Sequence, residues 1–389
     1  MMKSFPGLDS IRALAAFSVV GTHAAFYSGF YATGGFLGTA SARLDIGVAL
    51  FFVLSGFLLS SPFLVKTSKN KKIPEVGHYL FKRALRILPL YWVAVALAMT
   101  LLPDNATAGA SQWAKNLTLT QIYFPGLQSQ GLTQMWSLCT EVAFYLLLPV
   151  LMISFARRTK RHGWSARFIF SLLVIGVVFN LLWSYFVTPR YSTMGLWLPA
   201  YLSWFAAGIF LALARIEIVK NPASIAWLRQ IASQPGTAWT IALGLFAVSA
   251  TPIAGPVLLA PPEGFQAIAK NLLYAVISLL IVLPTVLGER KNSRYHRLMS
   301  NPFLRHLGHI SYGVFALHMI VLDFMAPRIG YELFRGDGLE IFVLILGITL
   351  VLAEISYRLI EKPIMRFKNF SFRSIDKASS APMQTEATH

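Results

Sequence analysis

Apolar runs of roughly 20 residues recur along this chain from one end to the other, and no other feature constrains its fold as tightly. They lie near residues 8–27, 45–65, 85–103, 134–155, 167–187, 196–214, 237–254, 268–287, 303–324 and 339–360. A bilayer core about 30 Å thick takes roughly 20 apolar residues per crossing helix. Membrane barrel strands alternate polar and apolar residues in shorter segments, and an open strand edge has no hydrogen-bond partner in lipid. The reading is therefore all-α: a polytopic membrane protein of about ten transmembrane helices. Composition agrees, because 13% of the residues are charged where an average soluble domain carries about 25%. Pro252, Pro256, Pro261 and Pro262 mark a loop between spans seven and eight.

The net charge of +18 would suit nucleic acid on one soluble face, but the basic residues lie between apolar runs, so no nucleic-acid partner is expected. They alternate instead. Lys66, Lys69, Lys71, Lys72, Lys82, Arg83 and Arg86 follow span two; Arg157, Arg158, Lys160 and Arg161 follow span four; Arg290, Lys291, Arg294 and Arg297 follow span eight. The odd-numbered connections hold one or two basic residues each, such as Arg43, Lys115, Arg190 and Lys270. Cytoplasmic loops carry the excess of Lys and Arg, so the even connections and both termini are expected to be cytoplasmic. The domain reading is one membrane domain over 1–369 and a disordered polar tail over 370–389. The first run is full length and contains Arg12 and His23, unlike the short apolar core of a cleavable signal. Cys139 is the sole cysteine, which excludes an intrachain disulfide and a cysteine-rich metal centre. No metal is expected.

Ionisable groups within membrane helices are costly, so each is a functional candidate. Arg12 and His23 are separated by eleven positions, close to three whole turns, which puts them on one helix face roughly 16 Å apart. Span four runs the opposite way. Counted from its outer start, Glu141 lies roughly 9 Å below the outer surface, near the depth of His23, and His318 in span nine falls at about that level. Three ionisable groups at one depth suggest a site; the alternative is that they only hydrogen-bond helices together. Asp323 and Glu354, also within spans, have no partner that the sequence identifies. Arg83 and Arg86, spaced i, i+3, share a face at the inner start of span three. A guanidinium pair grips phosphate oxygens bidentately, although positive-inside bias and contact with anionic membrane lipids would also place it there.

These residues resemble a known family, the integral membrane acyltransferase family 3, which includes O-antigen and exopolysaccharide O-acetyltransferases. Gly7-Leu8-Asp9-Ser10-Ile11-Arg12 followed by His23 is similar to its span-one pattern of an arginine, ten residues and a histidine. Phe51-Phe52-Val53-Leu54-Ser55-Gly56, Arg83-Ala84-Leu85-Arg86, and Trp136-Ser137-Leu138 with Glu141 and Phe144-Tyr145 resemble its next signatures in order. Ser311-Tyr312-Gly313 with His318, then Ser356-Tyr357 with Glu361-Lys362-Pro363, fit its closing spans. The stretch before the paired phenylalanines departs from the pattern. It reads Val48-Ala49-Leu50 where many members carry an acidic residue, and Asp45 lies one turn further out.

The resemblance implies a multi-pass protein of the cell's inner membrane. Its donor would be an acyl-CoA, usually acetyl-CoA, entering as co-substrate from the cytoplasm; its acceptor would be a hydroxyl of a surface or lipid-linked glycan on the far side. On that reading His23 is the catalytic base or a covalent carrier, and Glu141 orients it. Arg12, Arg83 and Arg86 hold the acyl-CoA; Ser55, Ser137, Tyr312 and His318 are candidates for substrate contact or support. Some members carry a fused extracytoplasmic esterase-like domain, for which 389 residues leave no room, so transfer is expected to be completed in the membrane domain or by a separate partner. The competing function is a transporter or flippase of a glycan or lipid-linked intermediate, which also uses buried charges. Such proteins commonly show two halves with matching broken helices, a symmetry this sequence lacks.

Overall fold

In a computed structural model the described residues are 5–126, 128–257, 262–288 and 293–369. The segment 370–389, expected to be a tail, and the loop residues Arg290 and Lys291 lie outside them. The described residues form helices and turns without a strand. Each of the ten apolar runs coincides with a helix: α1 Pro6–Tyr27, α2 Ile46–Ser68, α3 Val76–Leu101, α4 Trp136–His162, α5 Ala166–Phe186, α6 Leu202–Lys220, α7 Pro235–Ser249, α8 Phe265–Leu287, α9 Pro302–Met325 and α10 Gly338–Ser356. Their starts follow local chemistry. Pro6, Pro235 and Pro302 occupy first-turn positions, where a missing N–H costs nothing. The side chains of Ser165, Asn301 and Asp337 accept from the first free N–H groups of α5, α9 and α10.

Eight helical segments among the described residues are long and apolar enough to cross a membrane, and the pair Ala226–Ser233 and Pro235–Ser249, bent by 90°, makes a ninth if it is one span. Helix α1 is outside that set. It is 22 residues long and carries Asp9, Arg12 and His23, but 13 of its residues are buried. Protein, not lipid, surrounds it: α1 packs against α9, α2 and α10. Helix α5 is the opposite case, with three buried residues of 21, and forms part of the apolar periphery.

Close crossings are set by glycine. A Cβ on Gly208 of α6 would lie 2.1 Å from the Val53 carbonyl oxygen of α2, and one on Gly56 of α2 would lie 2.3 Å from that of Phe205. Small residues let helix backbones approach closely in a membrane, where packing rather than water exclusion drives association. Overpacking a core typically costs about 1–3 kcal/mol, and here the obstacle is backbone that cannot move aside. Gly208→Leu is expected to lower the thermal unfolding midpoint in detergent by at least the shift that such a cost produces. An unchanged midpoint would show that α2 and α6 do not cross this closely.

Candidate active site

Two levels of polar residues lie along the core helices. The first opens on a cavity of about 90 Å³ lined by Arg12, Ser55, Arg83, Arg86, Ser137, Glu141, Tyr145 and Tyr312. All three arginines expected to hold acyl-CoA thus meet in one place. Arg12 pairs with Asp9 at 2.7 Å. Neither Arg83 nor Arg86 has a carboxylate salt bridge among the described residues, and Arg83 Nε is buried without a hydrogen-bond partner. Glu141 is the one carboxylate among the residues that line this cavity, against three guanidinium groups, of which Arg12 is also paired with Asp9. Such a site attracts a multiply charged anion and has an unsatisfied donor to offer it.

The second level is built around His23. It lines a cavity of about 380 Å³ with Asp45, Gln134, Trp136, Tyr201, Trp204, Lys270 and Asn271. A further cavity of about 610 Å³ reaches His23 from its other side, past Tyr27, Asn105, Gln128, Gln130 and Asp323. Asp45 at the start of α2 accepts from Lys270 Nζ at 2.8 Å and from the Tyr274 hydroxyl. The neighbouring Arg43 is fully buried and donates from Nε to the Ser249 carbonyl at 2.7 Å, with a second bond to that of Gly255. These contacts tie the start of α2 to the turn after α7 and fix the cavity wall.

Helix rise accounts for the separation of the levels. Arg12 to His23 on α1 is roughly 16 Å, and Asp45 to Ser55 on α2 is roughly 15 Å. On α9, Tyr312 lines the arginine cavity and Phe315 lines both cavities, while His318 packs beside His23. The Phe315 ring meets Phe51 edge-on, with centroids 6.0 Å apart. Phe315, with Phe51 packed against it, thus lies where the two spaces adjoin.

The structure does not join Glu141 to His23. The Glu141 carboxylate accepts from Ser55 Oγ and interacts with the Tyr145 hydroxyl and with Arg83 and Arg12. The depth estimate placed it too far out. The residues of this segment that reach the His23 cavity are Gln134 and Trp136, and Glu141 lies five positions further along α4, roughly 7.5 Å deeper. The side chain that meets His23 is His318, whose Nε2 is 2.9 Å from His23 Nδ1; the backbone carbonyl of Val19, one turn earlier on α1, also bonds to the His23 ring. Ser137 donates to the Gln134 carbonyl at 3.1 Å and Tyr312 to that of Ile87 at 2.8 Å, so both hydroxyl protons are engaged by backbone. Asp323 and Glu354, without partners in the sequence reading, acquire them. Asp323 accepts from the Gly131 N–H at 2.9 Å, and Glu354 accepts from His306 at 2.7 Å and from Arg358. Those contacts explain the two acids structurally.

The sequence reading missed Gln134, Asn271 and the aromatic wall of Trp136, Tyr201 and Trp204. It counted Lys270 only as a loop charge. One signal was available: Lys270 is a lone cation in a charge-poor segment, one turn from Asp45's other partner, Tyr274.

The sequence model of the family described as an acyltransferase domain matches residues 5–358. The chain belongs to this family, acyltransferase family 3, and its long apolar helices agree with a multi-pass membrane protein. It is similar to a putative O-acetyltransferase of Staphylococcus aureus strain MRSA252, 24% identical over 397 residues, covering 96% of this chain and 59% of that protein. It is likewise similar to O-acetyltransferase OatA of the same strain, 25% identical over 396 residues, covering 97% of this chain and 60% of the relative. The chain thus spans about three-fifths of the length of the curated relatives it matches. No solved structure matches it.

Proposed function

We propose that this protein, in the cell's inner membrane, transfers an acyl group, most simply acetyl, from cytoplasmic acyl-CoA to a hydroxyl of a surface or lipid-linked glycan on the opposite side. The observation that carries the reading is the stacking of an anion-attracting arginine cavity below a histidine-lined cavity, with Phe315 where the two adjoin. The arginine level fits the donor's phosphates, since the buried Arg83 Nε needs an acceptor. A thin pantetheine arm passing Phe51 and Phe315 brings the thioester to His23. The cavity beyond, walled by Trp136, Tyr201 and Trp204 with Asn271 and Lys270, offers the apolar faces and hydrogen-bonding groups that a sugar requires.

In the transfer, a neutral His23 accepts the proton of the acceptor hydroxyl as its oxygen attacks the thioester carbonyl carbon. The tetrahedral adduct then expels the thiolate, which takes the proton from the His23 imidazolium. The new ester bond forms, the C–S bond breaks, and His23 is returned to its starting state. Glu141 is assigned to the arginine level, where it holds Ser55 and offsets part of the positive charge.

Mass spectrometry of surface glycans from cells with and without the protein tests the reading. An added acyl mass that depends on the protein is expected; identical glycans, with acyl-CoA bound but not consumed by purified protein, would overturn it. Orientation is tested separately. Reporter fusions near Asn105, after α3, and near Lys160, at the end of α4, are expected to read opposite sides with Asn105 outside, because the basic residues cluster beyond α4. A cytoplasmic Asn105 would reverse the direction of transfer.

A further inference from the structure

His318 is fully buried, and its hydrogen bonds determine where the protons of both histidines reside. Its Nδ1 is 2.8 Å from the Phe315 carbonyl oxygen and 3.1 Å from that of Val314. A carbonyl oxygen only accepts, so Nδ1 of His318 carries a proton. In the neutral ring Nε2 then holds a lone pair and only accepts. That Nε2 lies 2.9 Å from His23 Nδ1, so the shared proton belongs to His23 Nδ1. The remaining nitrogen of His23, Nε2, is left with its lone pair. The two rings meet edge to edge, their planes 29° apart and their centroids separated by 5.0 Å, which also restricts the plane of the His23 ring. Unlike His318, His23 is partly accessible and lines both cavities at its level.

We propose that His318 is the positioning residue of this site: it holds His23 in the single tautomer whose Nε2 can take a proton from the acceptor hydroxyl. The inference rests on the acyl-transfer reading for the reaction, but not for the tautomer. A neutral imidazole here does the orienting that a carboxylate does in a catalytic triad. After His23 takes up a proton, its Nδ1–H still donates to the His318 lone pair, so the ring does not turn between the two proton transfers. The backbone of α9 is the ultimate anchor of the relay, because the carbonyls of Val314 and Phe315 set the tautomer of His318.

Two substitutions separate positioning from packing. In His318→Gln the amide oxygen can accept from His23 Nδ1 while the amide NH2 donates to the Phe315 carbonyl; His318→Leu can do neither. In the full chain in membranes, kcat of His318→Leu is expected to fall about a hundredfold, the low end of what a general base contributes, with donor and acceptor KM little changed. His318→Gln is expected to recover most of that loss. Wild-type kcat in the Leu variant, or equal loss in both variants at matched folded protein, would overturn the proposal. Ring-nitrogen NMR of ¹⁵N-histidine-labelled protein reads the tautomer without turnover, the His23 signals being those lost in His23→Ala. A protonated Nδ1 and bare Nε2 are expected in the wild type, and both tautomers in His318→Leu. A wild-type His23 protonated at Nε2 would overturn the inference even if acyl transfer is confirmed. The expected tautomer in a protein that transfers no acyl group would leave the positioning intact and remove the reaction.

Discussion

His23→Ala is expected to stop acyl transfer while leaving the protein folded and its affinity for acyl-CoA unchanged. A positioned general base contributes about 10²–10⁴-fold, and the loss should appear in kcat because the base acts on the transition state rather than on the bound donor. The donor's charged end is held at the arginine level, roughly 16 Å away along α1, so binding measured with purified protein provides the internal control. Glu141→Gln serves as the contrast. A Glu141 that oriented His23 would add little further loss in the double variant, since residues acting as a unit are non-additive. With Glu141 bonded to Ser55 in the other cavity, the two substitutions are expected to act independently, Glu141→Gln mainly on the donor KM. Transfer rates in membranes carrying each variant at matched expression decide the matter. Substantial activity from His23→Ala would end the mechanism.

The second large effect is expected at Arg83 and Arg86. Each charge-assisted contact to a phosphate is worth about 1.5–3 kcal/mol, a loss of roughly tenfold to over a hundredfold in donor affinity per arginine. Arg→Lys should recover only part of it, because an ammonium lacks the planar fork that grips two oxygens at once. Acyl-CoA binding by isothermal titration, with desulfo-CoA and ATP as competitors, is the measurement. ATP should compete in proportion to the share of affinity carried by phosphate. Unchanged affinity in the Arg83→Ala/Arg86→Ala variant would make the pair a topological or lipid-facing feature, the other role that its spacing allowed.

The helix bodies were legible because lipid imposes a simple demand, and each apolar run of membrane length coincides with a helix, although several helix ends lie five to nine residues from the ends of the run. Arg83 and Arg86 could be grouped from spacing, since residues on one face and at one end of a helix need no tertiary information; Arg12 joined them only through the resemblance to the family. The error over Glu141 arose at the next step. A depth counted from where an apolar run begins does not establish a contact. Depth fixes one coordinate of three. It does not reveal which way a side chain points around its helix, or that α4 starts beside His23 and carries Glu141 inward past it.

By itself the sequence determined that this chain is a bundle of apolar helices, which of its residues had to be kept from lipid, and which family it belongs to. Those properties follow from composition, helical period and ordered motifs, all of them local. Only the tertiary structure decided that α1 is enclosed by α2, α9 and α10, that Phe315 lies where two cavities adjoin, and that His318 rather than Glu141 meets His23. Gly56 and Gly208 bring α2 and α6 together through close backbone contacts. Such crossings set the rotation and offset of one helix against another. A one-dimensional pattern leaves those quantities free, and the hydrogen bond that selects the tautomer of His23 depends on them.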